Sequence, residues 1–172
     1  MNEDDPEDEP SSMVCQMIGE SWGQLPFPII IDSGACTSVM PSSWCPHVPT
    51  EETTESKAGE FFRAANGEKT VNEGKKVVSL MAREGVTRDM KFIACEVSKA
   101  LGSVSQICKA GHRVVFNLPW HEDGSYIEHP QTGEVMRLNE HNGLYVLDTK
   151  VAPANKQTTA RRSQGFGRPG HP

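Results

Sequence analysis

Apolar residues in this chain fall in short runs and two-residue alternations rather than at helical spacing over any long stretch, a pattern that predicts strands. VCQMI (14–18) reads as a first short strand. PFPIII (26–31) reads as a stronger one, β-branched and stopped by Asp32-Ser33-Gly34. From 38 to 59 three prolines and a Thr/Glu run predict a loop, with at most one helical turn in SSWCPH (42–47). FFRAANGEKTVNEGKKVVSLMA (61–82) predicts two strands joined through AANGEK, because Asn-Gly between strand-compatible residues is a strong hairpin signal. DMKFIACEV (89–97) continues the strand pattern.

Helical spacing occurs once, where Val104, Ile107 and Cys108 recur between an N-cap Ser103 and Gly111, so a short helix is expected from Ser103 to Ala110. A strand in RVVF (113–116), a hairpin in which SYIEH and EVMRL flank PQTG, and a last strand in GLYVLDT (143–149) complete the list. Residues 1–12 are acidic and without apolar periodicity and are expected to be disordered. Residues 151–172 read as a flexible basic linker. The predicted organisation is thus a mainly β domain over 13–120, a β-hairpin and strand extension over 121–150, and two disordered ends.

Composition sharpens this picture in a few places. The chain has 172 residues, enough for one core, and its Gly and Pro content of 15 and 12 suits a turn-rich β protein. Six acids stand in the first ten residues while 151–172 carries only bases, and the middle stays net acidic, which predicts no nucleic-acid-binding face. The absence of a signal-like start and of a long apolar run predicts no membrane association, and five cysteines without close pairing fit a reducing, cytoplasmic setting. Cys36, Cys95 and Cys108 are expected to behave as small buried hydrophobes. Cys45-Pro46-His47 and Cys108 with His112 lack the paired spacing of a structural zinc site, so neither a metal nor another cofactor is expected. Of the six histidines, His112 is expected only to complement a helix C-terminus.

The chemistry centres on Asp32. A buried strand that ends in a carboxylate runs against the cost of placing a charge near apolar groups, so the acid needs a reason. One reason is structural, a turn closed by backbone amides of the following residues. The other comes from context: an apolar strand delivering DSGA, a hairpin with an Asn-Gly tip some thirty residues on, and Ala100-Leu101-Gly102 leading into a short helix together resemble the retropepsin family of aspartic proteases. ALGSVSQICKAGHRVVF and HNGLYVLD further resemble segments of copia-type retrotransposon polyproteins.

The resemblance, which spans about residues 14–150, implies a closed, barrel-like β fold with one short helix and an aspartic endopeptidase that processes a retrotransposon polyprotein. With a single DSG per chain, the second carboxylate would come from the Asp32 of another copy, making the enzyme a homodimer. Asp32, Ser33 and Gly34 would form the catalytic turn, Ser33 bonding across the dimer. Ala35 and the hairpin tip Ala65, Asn66, Gly67 and Glu68 would contact a polypeptide substrate lying as an added strand. The rival expectation is the same fold kept as a catalytically silent dimerisation or peptide-binding module, a transposon relic.

Overall fold

The run Ile29–Asp32 forms a strand whose three isoleucines are buried while the terminal acid is half-exposed, and the rest of the fold is arranged about it. The computed structural model describes residues 21–63 and 67–157. In chain order the strands are β1 (Gly23–Gln24), β2 (Ile29–Asp32), β3 (Val39–Pro41), β4 (Phe61–Arg63), β5 (Lys69–Val71), β6 (Gly74–Ala82) and β7 (Thr87–Cys95). They continue with β8 (Leu101–Ser103), β9 (Arg113–Val115), β10 (Ser125–Glu128), β11 (Val135–His141), β12 (Leu144–Leu147) and β13 (Thr149–Val151). Helices are short: α1 (Thr54–Lys57), α2 (Val104–Lys109) and a 3-10 turn at Ala154–Lys156.

The molecule is mainly β, as the alternation predicts. Eleven strands make one curled sheet in the order β1-β13-β6-β7-β3-β8-β2-β12-β11-β10-β9, and β4 with β5 forms a separate two-stranded ribbon. The sheet is not closed by hydrogen bonds as expected of a barrel: among the described residues β1 pairs only with β13 and β9 only with β10, leaving two edges. Two pairings are parallel. β2 lies beside β8 with Ile31 opposite Gly102 and Asp32 opposite Ser103, and β3 lies beside β7. Since parallel neighbours need a long connection, the chain must leave β2 and return to its side about seventy residues later.

The core sits on the concave side, where Ile29, Ile31, Met40, Val78, Leu80, Phe92, Ile127 and Leu147 pack together. Gly102 is fixed by that packing. A Cβ there would lie 3.0 Å from Cδ1 of Ile31, 3.2 Å from Cε of Met90 and 3.3 Å from Cγ2 of Ile29, closer than side chains tolerate without displacement. On β6, the buried Lys76 donates from Nζ to the carbonyls of Trp44 (2.8 Å), Ser42 (3.2 Å) and Cys45 (3.3 Å), pinning the loop after β3. Burial pushes the Lys76 ammonium below its ordinary pKa, and the nearby Cys45 and Glu73 oppose the shift.

Several expectations need correction. The strand expected across 70–82 is broken at Asn72, a buried residue whose Oδ1 accepts from the Gly74 amide at 2.9 Å. The loop over 38–59 holds a buried strand, β3, that its prolines concealed. Its helical turn lies at 54–57 instead of 42–47, because Thr53 and Ser56 cap each other reciprocally. The 121–150 segment is not an appendage: β12 pairs directly with β2, and Ile127, Met136, Leu138, Val146 and Leu147 belong to the core. Nor does a flexible linker begin at 151. Val151 pairs with Leu80, Ala152 and Pro153 are buried, and Gln157 accepts from the Ser79 amide at 3.0 Å. Lysine and proline suggested a linker by composition, but pairing with β6 decides the local structure. The expected leader 1–12, the strand at 14–18 and residues 158–172 lie outside the described residues.

Two cysteines also differ from expectation. Cys36 and Cys108 are exposed, Cys36 because the chain bends just after the acid turn and Cys108 because Val104 and Ile107 define the inward stripe of α2. Cys45 and Cys95 are buried; burial raises both thiols, Cys95 to about 11 with Glu73 adding to the shift. His112 bonds to the backbone of Ile107 and Ala110 at the end of α2, which favours its charged form as expected at a helix C-terminus, but its Nε2 also accepts from Arg88 Nε at 3.1 Å, and burial, then Arg88 and His129, hold its pKa below the usual histidine value.

Two outcomes follow from this packing. Gly102→Ala lowers stability by about 1–3 kcal/mol, whereas Gly23→Ala, with open space around it, stays within about 0.5 kcal/mol; urea denaturation distinguishes them. Peptide mapping after thiol labelling of the native chain at pH 8 finds Cys36 and Cys108 modified and Cys45 and Cys95 protected until unfolding, since only exposed, ionisable thiols react.

Candidate functional site

Strand β2 carries Asp32 to the rim of the sheet, and the chain then reverses through Ser33 and Gly34, both exposed. The Gly34 amide donates to Asp32 Oδ1 at 2.7 Å, which orients the carboxylate and leaves its other oxygen outside this bond. This is the local turn that Asp-Ser-Gly predicts. It accounts for the orientation of the acid but not for the structure built behind it.

That structure comes from the other parallel strand. Ser103, opposite Asp32 in the ladder and fully buried, donates from Oγ to the Ala35 carbonyl at 2.7 Å, and its own amide donates to Ser38 Oγ at 2.9 Å. One turn further on, Gln106 uses both ends of its amide: Oε1 accepts from the Ser38 amide at 2.8 Å and Nε2 donates to Thr37 Oγ1 at 3.1 Å. The Gln106 backbone N–H in turn donates to Ser103 Oγ at 3.3 Å, so the helix cap and the loop brace share one hydroxyl. The segment 35–38 is thereby fastened from behind, and Asp32 is held at the front of a rigid loop instead of a mobile one.

The ribbon β4–β5 carries the remaining expected residues. Of these, Ala65 and Asn66 lie outside the described residues; Gly67 and Glu68 are exposed, Gly67 with φ of +85°. The ribbon is joined to the sheet through Thr70, whose Oγ1 accepts from the Glu96 amide and donates to the Glu96 carbonyl, each at 3.2 Å, just past β7. Ala35 is half-buried, and its carbonyl is engaged by Ser103. The structure therefore brings Asp32, Ser33, Gly34 and Ala35 into one turn and sets the ribbon apart as its own small sheet.

Sequence reasoning missed Thr37, Ser38 and Gln106, and took Ser103 only as a helix cap. The signal was present in LGSVSQ: a serine at the cap and an amide three residues later are polar groups on the inward side of a helix that begins beside the acid. A second missed feature is apolar. Val146 pairs with Ile30 and Leu147 with Ile29; continuing that register brings Leu144 level with Asp32. Leu144 is exposed, and the Phe116 ring sits 4.7 Å from that of Tyr145, with exposed Leu118 and Trp120 following in the chain. Cys45 and His47 do not converge: the thiol is buried near Lys76, and His47 Nε2 lies 3.0 Å from the Ala152 carbonyl.

Comparison with protein-family models, with curated proteins and with solved structures found no match. No helix among the described residues is long and apolar enough to cross a membrane.

Removing the shared hydroxyl tests the brace. Ser103→Ala leaves the Ala35 carbonyl and the Gln106 amide without their partner and costs about 1–3 kcal/mol in urea denaturation. Hydrogen exchange of amides 33–38 accelerates in the same variant, while exchange in β10 and β11 is unchanged.

Proposed function

We infer that this chain is a retropepsin-like aspartic endopeptidase that works as a homodimer in the cytoplasm, with polyprotein processing as its task. The observation that carries the reading is the DSGA turn itself. A half-exposed carboxylate stands at the end of a buried strand, fixed by the Gly34 amide in front and by the Ser103–Gln106 brace behind. A purely structural acid would need only the turn; a reacting acid needs its position held to within a fraction of an ångström.

Peptide hydrolysis without a metal or a covalent nucleophile requires a base and an acid at one water. Across a two-fold axis, one Asp32 carboxylate takes a proton from water as the oxygen attacks the scissile carbonyl carbon. The other, protonated, gives its proton to the carbonyl oxygen. Collapse of the tetrahedral diol returns a proton to the leaving nitrogen and restores the shared proton of the pair.

Exposed apolar side chains that a second copy could cover support the dimer: Leu144, level with Asp32 by extension of the β2–β12 register, is 39% exposed, and Phe116, Leu118 and Trp120 are 41%, 58% and 79% exposed. The polypeptide would bind as an added strand between the acid pair and the β4–β5 ribbon, with Ala35, Ala65, Asn66, Gly67 and Glu68 as its contacts.

Cleavage of an unstructured protein at mildly acidic pH, together with the mass in solution, tests this function. The wild-type chain is expected to be dimeric and active. Asp32→Asn is expected to remain dimeric and folded while losing at least about 10²-fold in rate, because an amide cannot take the proton. A wild-type dimer that cleaves nothing, or an Asp32→Asn dimer that cleaves normally, overturns it and leaves a silent binding module.

A further inference from the structure

The β4–β5 ribbon stands apart from the main sheet, and its two faces differ. Phe62 and Thr70, paired across the ribbon and half-buried, lie on the side that is bonded to Glu96 through the Thr70 hydroxyl. Side chains alternate along a strand, so Phe61 and Arg63 on β4 share the opposite, outer side with Lys69 and Val71 on β5. All four are exposed, Phe61 at 47% and Val71 at 56%.

The informative feature is the pair Arg63 and Lys69. The two cations stand directly opposite one another, an arrangement that destabilises a ribbon, and neither is ion-paired among the described residues. Both lie against the Phe61 ring instead, Lys69 Nζ 4.5 Å from its centroid and Arg63 Cζ 5.7 Å. A two-stranded ribbon is marginally stable by itself. An exposed apolar pair beside two facing cations suits an extended, anionic cover. The chain encodes one: Glu3, Asp4, Asp5, Glu7, Asp8 and Glu9 surround Pro6, with no base among them. Residues 10–20, which join this run to the first described residue, reach up to about 36–40 Å when extended. That exceeds twice the radius of gyration of about 14 Å expected for a domain of this size.

We propose that the acidic run 3–9 docks on the outer face of the β4–β5 ribbon of its own chain, its carboxylates at Arg63 and Lys69 and Pro6 against Phe61. An anion beside both cations replaces their mutual repulsion with attraction, and the apolar pair is shielded from water. The run is too polar to build a core of its own, and docking by charge requires none. The face is the one turned away from the Glu96 contact, and its occupancy does not depend on Asp32 being catalytic.

The full chain is treated at low ionic strength with a water-soluble carbodiimide, which joins a carboxylate to an amine in contact with it, and the linked peptides are mapped by mass. Acids of 3–9 are expected to link to Lys69 at least about fivefold more than to Lys91 or Lys109, which are also exposed, and the preference is expected to vanish in 0.5 M salt, roughly the range where exposed charges are screened. Mixing ¹⁴N and ¹⁵N chains, with time for subunit exchange, is expected to give links of unmixed mass. Hydrogen exchange supplies a readout without chemistry. Replacing the six acids by their amides is expected to speed exchange at 61–63 and 69–71 at least about threefold, in keeping with exposed ion pairs, while β6 and β7 keep their rates. Lys69→Arg, which keeps the charge, is expected to exchange as wild type does, and Asp32→Asn to link as wild type does, which separates this surface from the proposed protease. No preference for Lys69, links of mixed mass that make a second copy the occupant, or ribbon exchange indifferent to the charges of 3–9 overturns the proposal.

Discussion

The parallel pairing of β2 with β8 is the constraint on which the rest depends. It sets Asp32 opposite Ser103, and because Ser103 is also the cap of α2, the acid turn and the helix start are built from one residue. A carboxylate at the end of an apolar strand would otherwise pull its loop toward water. Here Ser103 and Gln106 hold the backbone of 35–38 from behind, while the Gly34 amide holds the carboxylate in front. A methyl group on Gly102 would press on the side-chain ends of Ile31, Met90 and Ile29 at 3.0–3.3 Å. Hydrogen bonding, packing and the glycine therefore express one requirement, that the acid stand on a rigid base.

Much of this was legible in the residues. The apolar run ending in DSG marks a strand and a turn by local chemistry alone, and Ser103 with Gly111 brackets the only helical spacing in the chain. Both signals depend on neighbours within a few positions, where propensity and capping act. What stayed hidden depends on distant partners. β3 escaped notice because three buried residues among prolines carry no periodicity, and its strand character comes from lying between β7 and β8. Val151 and Ala152 looked like the start of a linker until β6 supplied a partner.

The site divides in the same way. Asp32, Ser33, Gly34 and Ala35 are contiguous and could be named together, whereas Ser38 and Gln106 are sixty-eight positions apart and become a pair only in the fold. The cysteines show the limit of composition: Cys36 and Cys95 are chemically identical, yet one lies on the exposed side of a bend and the other inside a strand with its thiol pushed up to about 11. Burial, which a single sequence encodes only through the whole topology, separates them.

In the proposed enzyme each chain supplies half of a proton-sharing pair, and the number of acids per active unit is directly countable. Wild-type chain is mixed with the Asp32→Asn chain at a fixed total concentration, allowed to exchange subunits, and assayed for cleavage. If both carboxylates are required, activity falls with the square of the wild-type fraction, so that equal mixing leaves about a quarter of the dimers active. A fall in simple proportion to the wild-type fraction would mean that each chain acts on its own, retention of about three quarters of the activity at equal mixing would mean that one Asp32 per dimer suffices, and either would contradict the account.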